Sequence, residues 1–222
     1  MSFLFLNFLL AALPSLLLLL YFYKKDKQRR ESLYLIWKTF AFGVLAVLPV
    51  AGIEFFLSRG LFFFRGILLI AMRAFIIAGF VEELSKFLVV RLFLYPRKEF
   101  DEIADGIVYT ITASLGFAFM ENLMYSFGPV LLLLIRGITA VPLHAIASGI
   151  MGYYIGASRF RPRPQFLKGL LYATAIHGLY NFLLFTGTWI SLLVIPLLFF
   201  SGKILLHLYR VALKEDRLSG RS

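Results

Sequence analysis

Cysteine is absent from all 222 residues. That excludes disulfide frameworks, thiolate nucleophiles and sulfur-ligated zinc. Acidic residues are scarce: 12 Asp and Glu stand against 23 Lys and Arg, a formal net charge of +11. Long polar stretches are missing as well. With 60% hydrophobic residues and a mean hydropathy of +0.85, the chain has more apolar side chains than one soluble core can bury. A basic excess suggests nucleic acid when it gathers into a patch. Here the basic residues fall in short loops between apolar runs, which argues for a lipid bilayer and against nucleic acid.

The apolar runs are long enough to cross a bilayer, which takes roughly 20 residues each. The expected fold is all-α: a polytopic helical membrane protein with about seven transmembrane helices. The first covers Phe3 to Tyr23. It resembles a signal peptide in position, but it is long and lacks a basic start and a small-residue cleavage site, so it reads as a membrane helix. The others run from Ser32 to Leu57, Leu61 to Tyr95, Asp105 to Phe127, Val130 to Ala157 and Leu167 to Phe185, with a last helix ending near Tyr209. Lys24–Arg30, Arg97–Lys98, Arg159–Lys168 and Arg210–Arg221 occupy alternate loops. The Lys/Arg rule then puts the N-terminus outside and the C-terminus in the cytoplasm. One integral-membrane domain is expected over 1–222, with its motif-bearing core at about 61–185.

Within these runs some residues are out of place. Glu82 and Glu83 are adjacent carboxylates in the third run, with Lys86 one helical turn on. A charge at the bilayer centre costs at least ~2.5–3.5 kcal/mol. Glu121 and Asn122 lie in the fourth run, and Glu121 has no basic neighbour one turn away. His144 lies in the fifth, followed at steps of four by Ser148, Gly152 and Gly156, a small-residue stripe that lets another helix come close. His177 and Asn181 share one face of the sixth. Each alone has a bland explanation: an ion pair locking two helices, or a hydrogen-bonded histidine in the packing. Together they come from four helices, and one shared polar cavity accounts for all their solvation costs. Carboxylates with imidazoles activate water, directly or through a metal. His177 and Asn181 could hold a developing oxyanion. Arg73, Arg136, Glu54, Lys38, Asp105 and His207 receive interfacial, ion-pairing or helix-end roles rather than chemistry.

Glu82-Glu83-x-x-Lys86, Phe117-x-x-x-Glu121-Asn122, His144 ahead of small residues, and His177-x-x-x-Asn181 follow in this order on successive helices. The set resembles the PrsW family of intramembrane proteases over roughly Phe80 to Asn181. The resemblance extends to the type II CAAX prenyl endopeptidases and the multipass scaffold subunit of γ-secretase. In the CAAX enzymes an Arg stands where this chain has Lys86, and a His where it has Glu121. Both departures match PrsW.

The resemblance implies a membrane endopeptidase acting on a membrane-anchored substrate. The implied reaction is site-1 cleavage of an anti-sigma factor, which starts regulated intramembrane proteolysis in stress signalling. Glu82 or Glu83 is then the general base, His177 and Asn181 hold the carbonyl oxygen, and His144 and Glu121 complete the water site. A metal variant puts zinc on His144, His177 and one glutamate, with Glu121 as a candidate ligand; metal-dependent and metal-free versions both stand. A proton- or ion-coupled transporter could also line a cavity with Glu and His, although no inverted repeat is visible. A non-catalytic scaffold could keep the histidines without needing all three glutamates.

Overall fold

The computed structural model describes residues 3–25 and 31–221. The basic stretch 26–30 lies outside the described residues. Nine α-helices are present among the described residues: α1 (Phe3–Lys25), α2 (Leu33–Gly60), α3 (Gly66–Ala71), α4 (Glu82–Phe93), α5 (Ile103–Tyr125), α6 (Val130–Ile138), α7 (Ala140–Phe160), α8 (Phe166–Phe185) and α9 (Val194–Leu218). A π-helical segment, Met72–Val81, joins α3 to α4 without a break. These three pieces form one rod over 66–93, about 42 Å long at 1.5 Å per residue. α6 and α7 make a second composite rod, interrupted at Thr139. Pro142 has no N–H for the Ile138 carbonyl, so the helix loosens there. The chain therefore folds as seven rods, an all-helical polytopic membrane protein.

Two expected boundaries move. The Glu-bearing helix starts at Gly66, not Leu61, because residues Leu61–Phe63 finish the preceding rod as a 3-10 turn. Gly66 then turns the chain with φ +56°, a conformation side chains disfavour. Its interior also departs from α geometry over ten residues, which no local sequence signal announced. The last helix runs on to Leu218 rather than ending near Tyr209, because its tail is docked. Asp216, fully buried, accepts from the N–H groups of Ile103 (3.0 Å) and Ala104 (3.1 Å), so it caps α5 from a distant helix. Asp105 closes the same terminus by accepting from Asp101 N at 2.8 Å and Glu102 N at 2.7 Å.

Among the described residues five helices are long and apolar enough to cross a membrane: Phe5–Lys24, Leu33–Phe63, Ile103–Tyr125, Val130–Phe160 and Trp189–Leu218. The other two rods, 66–93 and Phe166–Phe185, carry Glu82, Glu83 and Lys86, and His177 and Asn181, respectively. α5 is the axis of the bundle, with 89% of its span buried. The small-residue stripe of α7 lies on it. A Cβ on Gly106 would sit 2.3 Å from the Gly152 carbonyl oxygen, and one on Gly156 would sit 2.2 Å from that of Ile103, so the two backbones touch. α8 meets the π segment as closely, since a Cβ on Gly178 would lie 2.3 Å from the Phe75 ring. These contacts fix which faces of α5, α7, α8 and the long rod look at one another.

The basic loops gather at one end. Arg159 donates to the carbonyl oxygens of Tyr95 and of Arg97, the latter at 3.1 Å. Arg161 pairs with Glu215 at 2.8 Å. The opposite end holds the 60–66, 125–130 and 185–189 turns. By the Lys/Arg rule the first end faces the cytoplasm.

Candidate active site

Glu83 is the most enclosed group of the site, with no exposed surface. Its Oε1 accepts from Lys86 Nζ at 2.8 Å and from His177 Nδ1 at 2.8 Å, and its Oε2 accepts from Ser148 Oγ at 2.7 Å. Three donors on one carboxylate hold it as an anion and leave it little capacity for more. Glu82, one residue earlier, takes only a 3.2 Å contact from Lys86 and lines a cavity. The adjacent carboxylates thus have different surroundings.

The histidines are oriented from behind. Lys86 also lies 2.9 Å from His144 Nδ1. An ammonium has no lone pair, so Nδ1 accepts and Nε2 carries the hydrogen. That Nε2–H faces Glu121 Oε2 at 3.0 Å. His177 gives its Nδ1–H to Glu83, leaving the Nε2 lone pair for the cavity. Both rings therefore donate one nitrogen to a carboxylate, as metal-bound histidines do, but only His177 keeps its other nitrogen free, since Lys86 holds that of His144. Their centroids are 4.9 Å apart. Glu82 Oε2 is 3.9 Å from His177 Nε2 and 4.0 Å from His144 Nδ1. Ligand atoms of Glu82, His144 and His177, all buried, lie within 4.8 Å of one another. Two histidines and one glutamate are a donor set that catalytic zinc uses. A cation there would need His144 Nδ1, so Lys86 would give up that contact while keeping Glu83.

The cavity has a volume of about 370 Å³ and is lined by Glu82, Glu121, His144, His177 and Asn181, among others. It reaches Ser58, Arg73 and Phe185, toward the end opposite the basic loops. Glu83 and Lys86 stand behind its wall. Asn122 is not at the cavity: its Oδ1 accepts from Arg136 Nε at 2.8 Å, and Arg136 in turn pairs with Glu121 at 2.9 Å. The bland explanation for Glu121 is thus partly true, with the cation coming from another helix. Exposed Arg73 stands at the rim.

Three contributions were not foreseen. Ser148 belongs to the small-residue stripe, yet its hydroxyl holds Glu83. Its place one turn after His144 was the available signal. Ser114 donates to the His144 carbonyl oxygen at 2.8 Å. Glu54 turns into the cavity instead of reaching along α2 to the interface. His207 is exposed and far from the cluster, as expected.

A helical membrane protein with carboxylates and imidazoles around a lined cavity has the parts of a water-activating hydrolase within the bilayer. Comparison with known proteins specifies the class. Residues 31–206 match the model of the PrsW family intramembrane metalloproteases. The chain is 39% identical over 176 residues to Protease PrsW of Geobacillus kaustophilus, covering 77% of this chain and 76% of that protein. It is 35% identical over 181 residues to Protease PrsW of Bacillus subtilis, covering 77% and 79%. With Protease PrsW of Halalkalibacterium halodurans the identity is 33% over 216 residues, 95% of each chain. No solved structure matches. The chain belongs to the PrsW family and is a multi-pass membrane protease.

Proposed function

We propose that this protease is a glutamate- and histidine-dependent endopeptidase, with Glu82, His144 and His177 as its water-handling set. The observation that carries this reading is the convergence of those three side chains from three separate helices within 4.8 Å. Glu82, His144 and His177 would hold a zinc ion, which when bound polarises water and the scissile carbonyl. Glu83 fixes the tautomer and orientation of His177, and Glu121 does the same for His144. Glu121 also faces the cavity and is the carboxylate left to take the proton of the attacking water. Asn181, one turn from His177, is placed to donate to the carbonyl oxygen. Lys86 pairs with both Glu82 and Glu83 and holds them in place.

The substrate is a membrane-anchored protein of the anti-sigma factor type, cut at its extracytoplasmic side to begin regulated proteolysis. The opening of the cavity away from the basic loops supports that side. The test is co-reconstitution with tagged single-pass substrates in liposomes, alongside Glu82→Gln and His177→Ala. Wild type yields a product, both variants yield none while staying folded, and metal analysis finds zinc in wild type but depleted in both. Cleavage retained by both variants would refute this site.

A further inference from the structure

Beside the site, between α2 and α5, lies a second cavity of about 280 Å³. Its walls are apolar, with Val47, Val50 and Ala51 from α2 and Phe117 and Met124 from α5. Glu82 and Glu121 border it on the catalytic side, and Glu54 stands within it. No Lys or Arg lines it. Glu121 is already held by Arg136 and His144. Glu54 is not: its Oε1 is buried and has no hydrogen-bond partner among the described residues. A buried carboxylate oxygen without a donor carries a desolvation cost that a ligand can relieve. Glu54 also lines the larger cavity, so its side chain borders both spaces.

We propose that this cavity is a substrate subsite and that Glu54 makes it select a basic side chain, Lys or Arg, close to the scissile bond. The chemistry of the walls suits such a side chain. A lysine or arginine has an apolar stem that packs on Val47, Val50 and Phe117, and a cationic head that needs an acceptor at the far end. A leucine would fill the same walls but leave Glu54 unpaired. A glutamate would add an anion beside the unpaired Glu54 oxygen and the Glu82 carboxylate. The subsite shares Glu82 with the water-handling set, so the bound side chain belongs to a residue near the bond being cut. The inference rests on the proteolytic reading above.

The test uses the full chain in liposomes with a single-pass substrate whose residues around the cut are changed one at a time to Lys, Met and Glu. The readout is the Lys-to-Met ratio of kcat/KM at each position. At one position wild type prefers Lys by about tenfold or more, the scale of one charge-assisted hydrogen bond. Glu54→Gln brings that ratio near one, and Glu54→Lys shifts the preference at the same position to Glu. Ala51→Leu, which fills the cavity without touching the carboxylate, also flattens the ratio and guards against an unfolded Glu54 variant. Wild-type cleavage with no basic preference at any position, or a preference that survives Glu54→Gln, overturns the subsite and leaves the protease reading standing. No cleavage of any substrate by folded wild type overturns both.

Discussion

Replacing Lys86 by Met separates the contribution of the ammonium from that of its stem. The ammonium is fully buried and touches Glu83 at 2.8 Å, Glu82 at 3.2 Å and His144 at 2.9 Å. It also stands 4.5 Å over the Phe117 ring. Methionine keeps most of the apolar stem and removes every N–H. Two buried carboxylates then lose their shared cation. Breaking a buried ion pair from one side costs about 3–5 kcal/mol. For a chain of this length each kcal/mol lowers Tm by about 2–4 °C, so the expected loss is about 6–20 °C. The assay is thermal melting of the detergent-solubilised protein, carried through a double-mutant cycle with Glu83→Gln. Removing both charges leaves a smaller imbalance, so the double variant should lose less than the sum of the singles, by on the order of 1–3 kcal/mol. A Lys86→Met protein that melts within about 2 °C of wild type, or strictly additive singles, would show that the ammonium does not hold these carboxylates in the way described.

Ser148→Ala removes the 2.7 Å bond to Glu83 Oε2. The expected loss is about 1.5–3 kcal/mol of stability, with lower kcat as His177 loses its fixed partner; unchanged melting and kcat would count against the contact. Asp216→Ala uncaps α5 from the far end of the chain and should cost about 1–2 kcal/mol, read as faster amide exchange at residues 103–106, whereas Asp216→Asn, which keeps an acceptor oxygen, should cost less.

The chain's sequence carried its solvent and its chemistry openly. Apolar runs of bilayer length and basic loops are local properties, so seven rods and the gathered basic end were legible without coordinates. So were Glu82, Glu83, Glu121, His144 and His177, because a charge or imidazole inside an apolar run has a cost that its own neighbours reveal. Partnership was not legible. Whether Glu121 meets Arg136, or Ser148 meets Glu83, depends on how each helix is rotated about its axis. That rotation is set by contacts between distant residues: Gly106 on Gly152, Gly178 on Phe75. The π segment shifts the phase of the long rod just before Glu82, and Met72–Val81 looks like any apolar stretch. Glu54 shows the limit most clearly. Near the end of an apolar helix, a glutamate that reaches the interface and one that turns inward read identically. Only the packing of α2 against α5 put its carboxylate inside a cavity. The sequence by itself determined which groups needed a shared polar space; the tertiary structure alone decided which atoms face each other there, because hydrogen bonds and ligand sets are fixed by sub-ångström register between helices and not by spacing along one.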